Sequence, residues 1–400
     1  MNSVAIIGAG FAGLACAARL KSNGLDDFVL YEAGQGVGGF WRGNYDRIRL
    51  HTPFHDLPED GGLRSNYGQF LARDQLIEYF ESYAQHHSLA NHIRVQSLVS
   101  EIDRDEEGWS FLVNGKKAAA ERLVVATAYN RIPLVPSFEG QELFSGNLVH
   151  SRAYQNAGPF QDARVLIIGG GNSAAEIALD LCEGGAKSVT MTIRGPRHVI
   201  ALKKLALFAR IARFLRIEMT AKHVAAAHAY SRTHPDFLSK LAEKDKFFLS
   251  CSIDLSRYGL EVPAVGPATQ IALHGKVPWM DQGTVAAIRK GHIEVVDLKK
   301  DPLLKFTEPG VEFASGPREF DAVILATGME PGLDKMFVHA DRYLYFNEDM
   351  QRLMPNTNGR SHSVVDDSLY FPGLDLSSTG GLSLGLWGFE VADLINGAMH

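Results

Sequence analysis

An α/β fold of two Rossmann-like halves with a helical insertion is what this sequence predicts, on three observations. A short apolar run, Val4-Ala5-Ile6-Ile7, feeds directly into Gly8-Ala9-Gly10-Phe11-Ala12-Gly13 and then a small-residue helical stretch from Leu14 to Leu20. The same order returns at Arg164-Val165-Leu166-Ile167-Ile168, with the turn Gly169-Gly170-Gly171-Asn172-Ser173-Ala174 and a helix from Ala175 to Cys182. The chain has 400 residues, more than one hydrophobic core accommodates, so the repeat reads as two domains.

In the first half, Gly8 permits a sharp turn, Gly10 removes the side chain that would block a pyrophosphate from the helix N-terminus, and Gly13 lets helix and strand pack closely. The next strand, Phe28-Val29-Leu30-Tyr31, ends in Glu32, a carboxylate placed to accept hydrogen bonds from a ribose. Strand, turn, helix and acid together mark a dinucleotide site. The following stretch, Gly34-Gln35-Gly36-Val37-Gly38-Gly39-Phe40-Trp41-Arg42, is a glycine-dense loop closed by aromatics. Backbone of this kind lies against something flat or crowded, so Gly39 and Trp41 are expected at the cofactor. Residues 45–70 are irregular, and a loop of that length inside a domain is usually functional. His51 and His55 flank Pro53, which opposes a helix, so no metal pair is expected there. A helix follows from Arg73 to about His87, with Leu76, Ile77, Phe80 and Tyr83 as its buried stripe. Short strands at Ile93 to Val95, Leu98 to Asp103, Trp109 to Val113 and Arg122 to Thr127 complete this half.

The strand after the second turn, Lys187 to Ile193, ends in Arg194, with Arg197 and His198 close behind. A carboxylate there would repel a phosphate, whereas an arginine clamps a 2′-phosphate through two parallel hydrogen bonds. Two turns with opposite endings imply two dinucleotides, FAD at Gly8, Gly10, Gly13 and Glu32 and NADPH at Gly169, Gly171, Asn172, Ser173, Arg194 and Arg197. Residues 199–250 read as a helix-rich insertion. Its first part, Ile200 to Ile217, interleaves Lys203, Lys204, Arg210, Arg213 and Arg216 with leucine, isoleucine and phenylalanine. Such a basic amphipathic helix packs on the protein, meets another subunit or lies on a membrane surface. Strand signals return at Ile293 to Val296, Leu303 to Phe306 and Val311 to Phe313, and Phe320 to Gly328 echoes Leu123 to Ala128. Near the end, Ser377-Ser378-Thr379-Gly380-Gly381 opens a helix from about Leu384 to Asn396, a start that suits a flavin carbonyl or a phosphate. The expected division is a discontinuous FAD domain, 1–155 plus 320–400, around an NADPH domain at 156–319.

Composition narrows the function classes. A hydrophobic fraction of 46% with 22% charged residues is that of an ordinary globular enzyme, and a formal net charge of -6 argues against a nucleic-acid binder. Cys16, Cys182 and Cys251 lie far apart with no Cys-x-x-Cys pair, which argues for a reducing compartment and against a dithiol redox centre. The chain begins inside a strand with no charged leader, and no apolar run is long enough to span a bilayer, so a cytoplasmic protein is expected.

Phe144-Ser145-Gly146-Asn147-Leu148-Val149-His150-Ser151-Arg152-Ala153-Tyr154 matches Phe-x-Gly-x-x-x-His-x-x-x-(Tyr/Phe/Trp) at every fixed position, just before the second glycine turn. On this motif the chain resembles the class B flavin-dependent monooxygenases, and within them the flavin-containing monooxygenases and the plant YUCCA-like enzymes. Gly38-Gly39-Phe40-Trp41 with Tyr45-Asp46-Arg47-Ile48-Arg49-Leu50-His51 resembles the YUCCA-like flavin loop. Gly171-Asn172-Ser173 is similar to its NADPH turn, and Tyr258-Gly259-Leu260, Gly266-Pro267 and Leu325-Ala326-Thr327-Gly328-Met329 to its later landmarks. Two departures stand out. Ala126-Thr127-Ala128 carries alanine where relatives often have glycine, and Leu50-His51-Thr52-Pro53 puts His51 or Thr52 where animal-type members place an asparagine beside the oxygen adduct.

The resemblance implies that NADPH passes hydride to FAD, that a C4a-hydroperoxyflavin forms with dioxygen, and that one oxygen atom enters a small organic substrate. Arg194 and Ser173 would hold NADP+ over the flavin, His51 or Thr52 would border the peroxide, and His150 and Tyr154 would link the two domains. Thr127, Gly328 and Gly380 join the expected cofactor contacts. Tyr154 resembles the branch that oxygenates soft nitrogen or sulfur, with oxidative decarboxylation of a 2-oxo acid and Baeyer–Villiger oxidation as the other chemistries of the class. A disulfide reductase lacks paired cysteines; an NADPH oxidase or flavin reductase, and a flavin-loaded sensor, share the two sites. A homo-oligomer is compatible with all of these.

Overall fold

The computed structural model describes residues 2–51, 57–68, 70–207, 237–274, 276–348, 352–358, 361–374 and 381–399. Each glycine turn closes a parallel βαβ unit, because its strands are apolar without alternation and must be buried on both faces. Asn2–Ile7 pairs in parallel with Phe28–Tyr31 on one side and Lys116–Val125 on the other. Ile93–Arg94 extends the sheet past Phe28–Tyr31, and the antiparallel strands Trp109–Val113 and Val99–Arg104 extend it past Lys116–Val125. Helix Phe11–Ser22 packs on this sheet through Leu14, Cys16 and Ala18, and helices Arg73–His86 and Gly381–Met399 complete the same core. The C-terminal helix reaches so close that a Cβ on Gly388 would lie 2.0 Å from the Ala12 carbonyl oxygen.

The second sheet is wholly parallel, in the order Ile293–Asp297, Ser188–Ile193, Arg164–Ile168, Ala322–Leu325, Asn147–His150. Helix Asn172–Glu183 packs on one face. The antiparallel meander Leu303–Thr307, Gly310–Phe313, Gly316–Glu319 packs Phe306 and Phe313 against the other.

Strand membership departs from the expected division at both of its borders. Asn147–His150 and Ala322–Leu325 were expected in the first unit, yet both pair within the second sheet. The strand Leu369–Tyr370 joins the first sheet beside Lys116–Val125. The second sheet thus takes its edge strand, Asn147–His150, from chain that follows the first unit, with Ala322–Leu325 beside it. Arginine 164 explains part of this, since its guanidinium and backbone N–H both bond the Asp321 carboxylate and fix the entry of Ala322–Leu325 beside it.

The basic stretch differs too. Val199–Ala201 is a strand, paired in parallel with Trp279–Asp281, because buried β-branched Val199 and Ile200 fit a pleated surface better than a helix. Helix begins only at residue 202 and is described to 207; the rest of the expected helix lies outside the described residues. Helix Phe237–Ser250 is anchored by Asp245, whose carboxylate accepts the N–H groups of Ala268 and Thr269 at the start of helix Pro267–His274. Among the described residues no helix is long and apolar enough to cross a membrane.

Candidate active site between the two glycine turns

The first turn is built by backbone crowding. Gly8 has φ +104, and a Cβ there would lie 2.7 Å from the Ala126 carbonyl oxygen; a Cβ on Gly13 would lie 1.8 Å from the oxygen of Gly8. Neither position accepts any other residue without moving backbone. Gly10 is different, since a Cβ there meets nothing within 4 Å, and it stands as the N-cap of a helix with no acid in its first turn. The turn thus presents an open, positively polarised helix end. The glycine-dense loop lies directly over it: the Gly38 N–H donates to the Ala9 oxygen at 2.9 Å, and Gly39 sits against Gly10. Trp41 ends the single turn Gly39–Trp41 and packs between the cores of both units.

Glu32 ends its strand as expected and is buried. Its Oε2 accepts the Ala9 N–H at 2.9 Å and its Oε1 the Gly34 N–H at 2.7 Å, so the carboxylate ties the turn to the loop with lone pairs to spare. Thr127, on the segment that crosses beneath Gly8, has a buried hydroxyl without a hydrogen-bond partner among the described residues.

The second turn repeats this construction. Gly169 has φ +143 with a would-be Cβ 2.2 Å from the Ala326 oxygen, and Gly171 is the open N-cap, with nothing within 4 Å. Asn172 uses both ends of its amide on the neighbouring chain: Nδ2 donates to the Pro278 oxygen at 3.0 Å and Oδ1 accepts the Met280 N–H at 2.7 Å. Its side chain fastens segment 278–280 to the turn. At the strand end, Arg194 is exposed and Arg197 half-buried. Burial, and then the charge of Arg194, hold the Arg197 guanidinium below its ordinary value. A third cation, missed in the sequence, joins them: a Cβ on Gly195 would stand 3.3 Å from Lys299 Nζ. The parallel register of Ile193 with Asp297 puts Lys299 there, a pairing invisible in a linear pattern.

The Phe144 to Tyr154 motif forms a strap. A Cβ on Gly146 would lie 2.5 Å from the Asp321 oxygen, so glycine lets the strap enter the second sheet. His150 Nε2 donates to the Gly328 oxygen at 3.1 Å and its Nδ1 accepts the Arg152 N–H at 3.0 Å, which fixes the neutral tautomer. Burial holds this imidazole below the usual histidine range. Tyr154 is buried and donates to Asp180 Oδ2 at 2.6 Å. Arg152 spans to the flavin-type loop, with its guanidinium on the carbonyl oxygens of Phe40 and Gly43 and over the Phe40 ring. Gly328 has φ +97, and Met329–Glu330 pairs with Ile132–Pro133, so the two crossing segments meet.

Where the units face each other lies a cluster that sequence reading overlooked. Glu176, on helix Asn172–Glu183, is 2% exposed. It accepts from Tyr45 Oη at 2.9 Å and Gln282 Nε2 at 3.1 Å, and meets His51 Nε2. Burial, and then the Glu176 charge, push the Tyr45 phenol well above its ordinary range, with the Ser173 hydroxyl acting the other way. The one linear signal for Glu176 is a carboxylate inside the apolar run Ala174-Ala175-Glu176-Ile177-Ala178. Of the expected site, Thr52 and Gly380 lie outside the described residues.

Comparison with known proteins agrees with this construction. The family model for pyridine nucleotide-disulphide oxidoreductases matches residues 5–229. Indole-3-pyruvate monooxygenase YUCCA1 of Oryza sativa subsp. japonica is 32% identical over 337 residues, covering 81% of this chain and 75% of the relative. Probable indole-3-pyruvate monooxygenase YUCCA3 of Arabidopsis thaliana is 31% identical over 376 residues, covering 90% of this chain and 79% of the relative. Among solved structures, an oxidized steroid monooxygenase bound to NADP superposes with a TM-score of 0.71 at 22% identity, covering 100% of this chain and 85% of that one. A flavin-containing monooxygenase from Stenotrophomonas maltophilia gives 0.67 at 20% identity, covering 100% and 99%.

Proposed function

The chain belongs to the pyridine nucleotide-disulphide oxidoreductase family and, within it, to the flavin-dependent monooxygenases that use FAD and NADPH; on that premise we propose how its residues divide the work and what it oxygenates. The observation that carries the division is the contrast between two like turns, one closed by a buried acid and one by cations that meet no carboxylate among the described residues. FAD takes the first turn: Gly8, Gly10 and Gly13 admit its pyrophosphate to the helix end, and Glu32 accepts from its ribose. The buried Thr127 hydroxyl, without a partner among the described residues, and the open face of Gly10 fit such a group. NADPH takes the second turn: Gly169, Gly171 and the Ser173 end of the helix receive its pyrophosphate, and Arg194 with Arg197 takes its 2′-phosphate. The unit that binds FAD comprises 1–146 and 331–400, with Leu333, Met336, Phe337 and Tyr343 in its core, and the unit that binds NADPH comprises 147–330.

FAD, once reduced by NADPH, supplies the activation of dioxygen. The chain supplies enclosure. Gly39, Trp41 and His51 border the reacting face; water kept out there favours oxygen transfer over loss as hydrogen peroxide. His150 and Tyr154, whose polar atoms are all engaged within the protein, hold the two crossing segments and helix Asn172–Glu183 in place.

The substrate we propose is a small 2-oxo acid. The soft nitrogen or sulfur expectation rested on Tyr154 as a branch resemblance; that ring is buried with its hydroxyl on Asp180, so it adds no substrate contact to that reading. The curated relatives at about a third identity act on indole-3-pyruvate. The balanced reaction takes the 2-oxo acid, dioxygen, NADPH and a proton to the shortened carboxylic acid, carbon dioxide, NADP+ and water. The test is a panel of 2-oxo acids, amines, thioethers and ketones under 18O-labelled dioxygen. One labelled oxygen in the shortened acid, with one NADPH consumed per product, is expected; labelled sulfoxide or N-oxide instead overturns the substrate, and peroxide equal to NADPH with no product favours an oxidase. A cytoplasmic working place belongs to the same reading, since Cys16, Cys182 and Cys251 are all unpaired.

A further inference from the structure

A carboxylate buried as deeply as Glu176 is tolerated only when its lone pairs are met by donors, since an ionised group removed from water costs several kcal/mol. Its donors come from separate stretches of chain. Tyr45 and His51 belong to the irregular loop of the first unit, and Gln282 precedes the short helix Thr284–Arg289 of the second. Glu176 itself stands one turn into the helix whose N-terminus is the second glycine turn, and the Ser173 hydroxyl neighbours Tyr45. One carboxylate thus joins the turn assigned to NADPH and the histidine assigned to the oxygen-bearing face. A plain structural anchor needs no histidine among its donors, because Tyr45 and Gln282 already occupy both oxygens.

We propose that Glu176 is a positioning residue for His51. Accepting the Nε2 proton, it holds the imidazole in one orientation with Nδ1 left as the acceptor. Through Tyr45 and Ser173 the same carboxylate ties that orientation to the nucleotide-bearing turn, so His51 and the second turn move as one piece. The proposal rests on the preceding reading only for what His51 does; the hold of Glu176 on the ring stands apart from it.

The experiment uses the purified holoenzyme labelled with 15N-histidine, with the His51 signal identified by its loss in His51→Asn. Wild type is expected to show a slowly exchanging, downfield Nε2 proton on His51. Glu176→Ala is expected to abolish it, Tyr45→Phe to keep it, and the near-isosteric Glu176→Gln to shift it upfield even where the alanine variant does not fold. With NADPH added, Glu176→Gln is expected to raise the share of NADPH that ends as hydrogen peroxide by about fivefold, while the Michaelis constant for NADPH stays within about twofold. Glu176→Asp restores part of the coupling. Persistence of the downfield proton in both Glu176→Ala and Glu176→Gln overturns the hold. Loss of the proton with unchanged peroxide release reduces Glu176 to a structural anchor and overturns the positioning role. A wild type that forms no oxygenated product removes the oxygenase reading, and the imidazole signal then still decides whether Glu176 holds His51.

Discussion

The two glycine turns are built alike but tolerate different residues at their sixth position. Both begin with a left-handed glycine pressed against the carbonyl of a crossing alanine, Gly8 on Ala126 and Gly169 on Ala326, and both leave the third position, Gly10 or Gly171, open to ligand. Six residues into each turn, the first has Gly13 and the second Ala174. Gly13 has no room for a Cβ, whereas Ala174 is fully buried with its methyl accommodated. The first helix is also pressed from behind by the C-terminal helix, which meets Ala12 through Gly388. Close packing at the first turn is enforced by the whole unit, while the second turn is held by side chains, Asn172 on segment 278–280 and Glu176 across to the other unit.

The substitution that breaks this comparison most strongly is Gly13→Ala. With its methyl 1.8 Å from a backbone oxygen, it is expected to destabilise by about 3 kcal/mol or more, since backbone cannot step aside cheaply. The reverse exchange at the matching place, Ala174→Gly, removes only a buried methyl and helix propensity, about 1–2 kcal/mol. Urea denaturation of both variants ranks them; equal losses would mean that the first turn relaxes freely and that its crowding carries no special weight.

The charged ends differ by more than sign. Glu32 is buried and satisfied by two backbone N–H groups, whereas Arg194 is exposed and stands with Arg197 and Lys299. Arg194→Ala is expected to raise the Michaelis constant for NADPH by about 10- to 100-fold, as loss of a charge-assisted contact does, and to leave NADH within about twofold. Equal effects on the two cofactors in steady-state kinetics would remove the phosphate-clamp argument.

Much of this was legible in the chain because it is written in short range. Strand, glycine turn and helix are contiguous, so both βαβ units, the helix Arg73–His86 and the strap motif could be read directly. What escaped depends on pairing between distant segments. Ala322–Leu325 has the same apolar pattern whichever sheet it enters, and only its register against Arg164–Ile168 and Asn147–His150 decides the matter. Lys299 reaches Gly195 through a strand alignment, and Glu176 gains meaning only from Tyr45, His51 and Gln282. Val199–Ala201 misled because its residues also fit the apolar stripe of a helix; a partner strand at Trp279–Asp281 settled it.

The crossing segments sharpen the comparison in its smallest term. Ala126-Thr127-Ala128 and Ala326-Thr327-Gly328 run beneath their turns in the same way, and each ends in a left-handed residue, Ala128 at φ +58 and Gly328 at φ +97. An L-residue in that region costs roughly 1–2 kcal/mol, because its Cβ crowds the following carbonyl. Glycine escapes that cost but gives back about 0.4–1 kcal/mol in unfolded-state entropy. The balance favours Ala128→Gly by about 0.5–1 kcal/mol, a rise of about 2 °C in melting temperature for a domain of this size. Gly328→Ala is the opposite test, and at φ +97 it is expected to cost more than Ala128→Gly returns, since that angle lies beyond the left-handed helical well that alanine can reach. Paired calorimetric scans decide it. A fall in stability for Ala128→Gly would show that the alanine methyl is packed rather than merely endured, and that the two crossings are held by different forces.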